Sequence, residues 1–263
     1  MRNTPWATRG GRLLGMAVTL AAISLIGQPG SAVAQDQDEE EGPKGWYGNA
    51  DLGFSLTAGN SETTNLGLTF GIYDELATGL WTISAAYILA TTQGEETANK
   101  LDSQLRYDYT GLGRFFVYGL LYGGFNRQAG VDAIVAPGAG VGYTLFETTA
   151  TRFSLNAGGA ALRESFQNDS TSTKFSLNLG QDFTLTIDED TNLTQSFAYI
   201  PNTAQFSDYL LHAGLNFTTM FSDLLGWTLS LIYDYRNQPF VDATGEARKK
   251  GDLFFLTGLA LKF

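Results

Sequence analysis

The chain has no cysteine, a single histidine and only 6 prolines in 263 residues. Without thiols it can form neither a disulfide framework nor a thiolate metal site. One histidine excludes an H-E-x-x-H metal motif, and no carboxylates stand at the spacing of a calcium loop. Charge is scarce and lopsided. Charged residues make up 16%, with 16 basic against 27 acidic side chains and a formal net charge of −11. An acidic balance argues against nucleic acid as a partner, because phosphate contacts are made by Lys and Arg. Apolar runs are short as well: the longest, Leu13 to Ile26, falls below the roughly 20 residues a helix needs to cross a bilayer.

What is present points to export and to β structure. Arg2, Arg9 and Arg12 precede the apolar run, and Pro29, Gly30 and an A-x-A site at Ala32 and Ala34 follow it. This order predicts a cleaved Sec-type signal peptide over residues 1–34; the arginines around "RGGR" do not form a twin-arginine signal. Removing three arginines and no acid takes the formal charge from −11 to −14. Residues 35–45, "QDQDEEEGPKG", read as an acidic flexible linker. From Trp46 to Phe263, 31 glycines in the whole chain and 13% aromatics suit a large, turn-rich β structure better than a helical bundle.

Over 46–263 the dominant period is two, the signature of strands. In "WYGNADLGFSLT", Trp46, Gly48, Ala50, Leu52, Phe54 and Leu56 share one face, and Tyr47, Asn49, Asp51, Gly53, Ser55 and Thr57 the other. The same alternation recurs to the end of the chain and predicts twelve strands of about 9–12 residues, the length that crosses a bilayer at a tilt. The run Phe115 to Phe125 is apolar or glycine on both parities, so its faces stay unassigned. Aromatics crowd the strand ends: Trp46, Trp81, Trp227, Tyr107, Tyr109, Tyr233, Tyr235 and Phe263. Tyr and Trp there suit a lipid–water girdle. Connectors after even strands are short; those after odd strands tend to be longer, up to "NQPFVDATGEARKKG". The expected fold is therefore all-β, a closed antiparallel transmembrane β-barrel of about 12 strands of the bacterial outer-membrane type. A mean hydropathy of −0.08 fits, since only one face of each strand meets lipid. Closure is obligatory in lipid, so the last strand should seal against Trp46 to Thr57. The even strand count places both ends of the barrel chain on the periplasmic side.

The segment "WYGNADLGFSLTAGNSETTNLGLTFG" resembles the start of a YdiY-like family of salt-induced outer-membrane proteins whose function is unassigned. Trp46, Gly48, Gly53, the corner Thr57-Ala58-Gly59-Asn60 and Asn65 carry the likeness, and "RFFVYG" (114–119) and "GAGVGYTL" (138–145) resemble the family's middle strands. The stretch "GGFNRQAGVDAIVAPG" departs from it by being small and apolar where the family tends to be charged. Alternating Leu253, Phe255, Leu259, Leu261 and Phe263 resemble the assembly signal of outer-membrane proteins. That resemblance implies the barrel-assembly machinery and periplasmic chaperones as biogenesis partners, and outer-membrane lipids and lipopolysaccharide as surroundings in a Gram-negative bacterium.

Chemistry is thin. His212 lies on a polar parity with Asp208 four residues away, a spacing open to an Asp–His dyad; a lumen histidine in a polar network is the reading adopted here. "GAGVG" lies inside a strand, so it permits bending or close packing and is no dinucleotide loop. No catalytic, cofactor-binding or metal-ligating residue is assigned. The polar parities predict Asp51, Asp102, Arg106, Asp108, Lys174, Asp182, His212, Asp234, Arg236 and Lys262 as lumen-lining, with Arg106 between Asp102 and Asp108 as part of a salt-bridged plug. Arg248, Lys249 and Lys250 are candidates for lipopolysaccharide phosphates. The function expected is a structural or envelope-stress barrel without catalysis, the alternatives being a narrow channel for ions or small solutes and, more distantly, an outer-membrane hydrolase.

Overall fold

The computed structural model describes residues 45–57, 63–128, 130–167, 169–239 and 250–263. The expected signal peptide, nearly all of the acidic linker, and Arg248 and Lys249 lie outside the described residues. Twelve strands follow one another: β1 (Trp46–Thr57), β2 (Thr63–Leu76), β3 (Gly79–Thr92), β4 (Glu95–Leu112), β5 (Phe115–Asn126), β6 (Val131–Glu147), β7 (Thr151–Phe166), β8 (Thr171–Thr186), β9 (Thr191–Asn202), β10 (Gln205–Met220), β11 (Leu225–Arg236) and β12 (Gly251–Lys262). Each pairs antiparallel with its neighbours, and β12 returns to β1 to close the barrel. The end at which β1 begins and β12 finishes is called the near end below, and the opposite one the far end.

Strands run 12 to 18 residues: five, at 12, meet the upper end of the expected 9–12, and seven exceed it. The extra length lies in stretches that the alternation alone left as loops. At the far end β3 and β4 join through Gln93 and Gly94 alone, with φ of 53° and 81°. Two positive φ values in a row match the right-handed twist of the flanking strands and permit a two-residue hairpin. Thr203 and Ala204 join β9 to β10 equally tightly. The expected excess of length after odd strands therefore fails at these two hairpins, while the β1–β2 connector and most of the β11–β12 connector lie outside the described residues. The seal also differs from expectation. The β1–β12 ladder runs from Asn49↔Lys262 to Gly53↔Gly258, and Gly48 and Phe263 exchange backbone hydrogen bonds of 2.7 and 3.0 Å, so it occupies the near half of β1.

The outer face is apolar from strand to strand: Leu52, Phe54, Leu68, Leu121, Val141, Leu179, Phe255 and Leu259 are all exposed. So continuous an apolar belt belongs against hydrocarbon. Aromatics pair near its edges. Trp81 lies 4.7 Å from Tyr107 and Phe115 4.7 Å from Tyr143 toward the near end, and Tyr209 contacts Tyr199 and Tyr235 toward the far end.

The unassigned faces of β5 are settled by its partner. Phe116, Tyr118 and Leu120 point inward and stand opposite Gly142, Gly140 and Gly138 of β6. A Cβ added at Gly138 would lie 3.3 Å from Leu120 Cδ1, and at Gly142 and Gly140 it would collide with the Phe116 and Tyr118 rings. The "GAGVG" run is thus the recess that admits three large side chains into the lumen.

Candidate functional site: the lumen

Inward positions recur every second residue, so each strand offers the lumen a column of side chains. On β4 that column reads Lys100, Asp102, Gln104, Arg106 and Asp108, all buried. Lys100 Nζ lies 2.8 Å from Asp102 Oδ2 and 3.6 Å from Asp234 Oδ2 of β11. Asp234 holds His212 of β10 through Nδ1, at 2.6 Å from its Oδ1, and Tyr122 of β5 donates its hydroxyl to Asp102. His212, Asp234, Lys100, Asp102 and Tyr122 therefore form one chain that crosses the barrel from β10–β11 to β4–β5. Asp234 is 1% exposed, so this is a desolvated network in which removing one member strands the others. A second crossing joins Arg236 Nη2 of β11 to Glu164 Oε1 of β7 at 3.2 Å.

Next to these charges the lumen is apolar. Tyr122, Val131, Ile134, Leu162, Ile200 and Leu210 form a buried cluster from β5, β6, β7, β9 and β10. Each of these residues belongs to the far half of its strand, so the far half of the barrel is filled by side chains. The near half is emptier. Arg106 is held by Asp108 of its own strand at 2.6 Å and lies 4.0 Å over the Tyr118 ring. A cavity of about 180 Å³ opens there, bordered by Arg106, Asp108, Asp182, Arg152 and Glu147. A second, of about 160 Å³, lies at mid-barrel among Asp51, Tyr73, Lys100, His212, Asp234 and Phe254.

Each expected lumen residue can be placed. Asp51 accepts from Thr69 Oγ1 at 2.7 Å, Asp182 from Asn156 at 3.0 Å, and Lys174 pairs with Asp208 at 3.1 Å. Two expectations need correction. Arg106 does not bridge Asp102 and Asp108; it is turned to Asp108, while Asp102 is taken by Lys100 and Tyr122. His212 sits in a polar network, in line with the reading adopted above, and its partner is not Asp208, four residues along its own strand. Asp234 stands directly opposite on β11, and cross-strand neighbours are closer than i, i+4 positions in a strand. Lys262 is exposed at the near rim. Lys250 is exposed at the far end, with Nζ 3.3 Å from Asn237 Oδ1. Lys100 and Glu164 were missed because the alternation began strand four at Leu101 and stopped strand seven at Ala157. Extending the same parity would have reached both. Tyr122 and Ile134 carried no signal, the first lying in a run whose faces the sequence left unassigned and the second being apolar on the parity opposite Val135.

A closed antiparallel barrel with an apolar exterior and a side-chain-lined lumen is an outer-membrane β-barrel, and two solved structures share that fold. One is an outer-membrane channel from Pseudomonas putida F1, with a TM-score of 0.52 and 10% identity over 90% of this chain and 100% of that one. The other is the NanC porin, with a TM-score of 0.50 and 12% identity over 82% and 100%. The chain belongs to the DUF481 family, described as a protein of unknown function, whose model matches residues 50–263. No curated protein matches it.

Proposed function

We propose that this outer-membrane barrel is a structural, envelope-maintaining protein that conducts little and catalyses nothing. One observation carries the reading: the far half of the lumen is crossed by His212–Asp234–Lys100–Asp102–Tyr122 and by Arg236–Glu164, and filled beside them by the apolar cluster. Twelve strands enclose a lumen between those that side chains fill and those that leave a wide channel, so the side chains decide which it is. Planar-bilayer recording of the refolded barrel tests this. Silence is the expected result, and stepwise conductance would favour the narrow-channel alternative, for which the two lumen cavities would serve as the waypoints.

The same reading orients the molecule. Connectors at the near end span two to four residues, as periplasmic turns do. The far-end segment with Arg248, Lys249 and Lys250 then reaches the outer leaflet, where three cations suit lipopolysaccharide phosphates. Residues 1–34 direct Sec-type export and 35–45 form the linker. Leu253, Phe255, Leu259, Leu261 and Phe263 present the assembly signal to the barrel-assembly machinery after escort by periplasmic chaperones.

A further inference from the structure

Three glycines meet in one row across β12, β1 and β2: Gly258 pairs with Gly53, and Gly53 with Gly67. With no side chain on the inner face of β1 or β2 at this level, Leu256 reaches across from β12. A Cβ added at Gly67 would lie 3.3 Å from Leu256 Cδ2. Beyond the row the wall changes. β1 stays paired with β2 as far as Thr57↔Thr63, and β12 with β11 as far as Tyr235↔Gly251. Among the described residues, however, the β1–β12 ladder goes no farther than Gly53↔Gly258. In the far half of this seam each strand keeps one neighbour and presents an edge to the other. Backbone groups without a ladder partner are costly in lipid, so the barrel wall is weakest along this line.

Directly behind the seam lies the mid-barrel cavity, with Asn49 and Asp51 of β1 on one side and Phe254 of β12 on the other. Its carboxylates are unequally served. Asp102 and Asp234 are bound by Lys100, Tyr122 and His212, whereas the hydrogen bonds of Asp51 come from Thr69 at 2.7 Å and Asn49 at 3.5 Å, both neutral. Beside it the Tyr73 hydroxyl, in a side chain only 5% exposed, has no hydrogen-bond partner. A Cβ added at Gly71 would sit 2.5 Å from Tyr73 Oη and 2.9 Å from Asn49 Oδ1, so both oxygens converge on the inner face of Gly71. One carboxylate and two neutral oxygens lining the cavity form an acceptor set for a charged N–H donor. Phe254 supplies an apolar wall on the membrane side.

We infer that the mid-barrel cavity binds the primary ammonium head of a membrane-borne amphiphile, which enters sideways from the lipid through the far half of the β1–β12 seam. Asp51, Asn49 and Tyr73 receive the head, the alkyl chain lies along Phe254 between the strand edges, and Leu256 is the latch that closes the wall when the site is empty. Entry from the far end is blocked by the apolar cluster, and the side route opens the cavity directly to the acyl region of the bilayer.

The test uses the refolded full barrel in nanodiscs with a dodecylammonium probe carrying a photoactivatable diazirine, the captured residues being mapped by mass spectrometry. Labelling is expected at the cavity residues, reduced at least tenfold in Asp51→Asn, while a dodecyl sulfate probe of the same length labels the outer belt alone. Because the chain has no cysteine, the pair Phe54→Cys and Thr257→Cys, next in register past Gly53↔Gly258, can be closed across the seam by a disulfide or a short bis-maleimide. Closure should abolish cavity labelling, and reduction of the disulfide should restore it. A diazirine phosphatidylethanolamine, run in parallel, tells whether a bilayer lipid or a free alkylamine is the better occupant. Cavity labelling that survives Asp51→Asn, that the sulfate probe matches, or that the closed seam leaves unchanged would overturn the inference. Heat-modifiable gel migration of every variant shows that the barrel itself has formed, and bilayer conductance reads the non-conducting proposal separately.

Discussion

The two halves of the lumen use the same kinds of residue in different ways. In the near half, Arg106 and Asp108 are two residues apart on one strand, and their pair is formed within β4 beside a cavity of about 180 Å³. In the far half, Lys100 and Asp102 are equally local, yet Lys100 also reaches Asp234 on β11, across the barrel interior from β4. A local pair needs only its own strand, whereas a cross-lumen pair exists only once the ring has closed. The far half is also where Tyr122, Ile134 and Leu162 form an apolar cluster beside the charges, and Asp234, 1% exposed, is shared between Lys100 and His212. The contrast separates a half that can tolerate substitution from one that cannot.

The sharpest way to break the contrast is Asp234→Ala. It leaves Lys100 and His212 buried without their shared carboxylate, and a loss of about 3–5 kcal/mol in reversible urea unfolding is expected. Leu162→Ala empties part of the apolar cluster and should cost about 2–4 kcal/mol, with bilayer conductance rising as the filling thins. In the near half, Arg106→Ala should cost less, about 1–2 kcal/mol by the same unfolding, because water from the adjoining cavity can solvate Asp108. Arg127→Ala at the far rim removes a half-exposed pair with Asp132 and should change stability by under about 1 kcal/mol. If Arg106→Ala proved as costly as Asp234→Ala, the two halves would not differ in the way described.

Legibility in the sequence followed the physics of each feature. Asp102, Arg106, Asp108, His212 and Asp234 could be placed on inward faces because their strands alternate cleanly. Lys100 and Glu164 lay just outside the boundaries drawn, since nothing in composition marks where a strand leaves the membrane and continues as a hairpin. The tight turn at Gln93–Gly94 was hidden because a non-glycine residue occupies one of its two positive-φ positions. Phe254 and Leu256 blurred the alternation of β12, and the structure turns both inward, one to the mid-barrel cavity and the other over Gly67. An apolar residue on an inner face looks like an error of period until the facing glycines are known.

By itself the sequence determined the strand number, the outward belt of Leu, Phe and Val, and membership of an outer-membrane barrel class, because a period of two and an aromatic edge are local properties of the chain. Only the tertiary structure decided which charges pair, which glycines admit which rings, and where the seam stops. These depend on residues far apart in the chain, such as Lys100 and Asp234 or Gly53 and Gly258, whose approach is set by closure of the ring and the stagger of its strands.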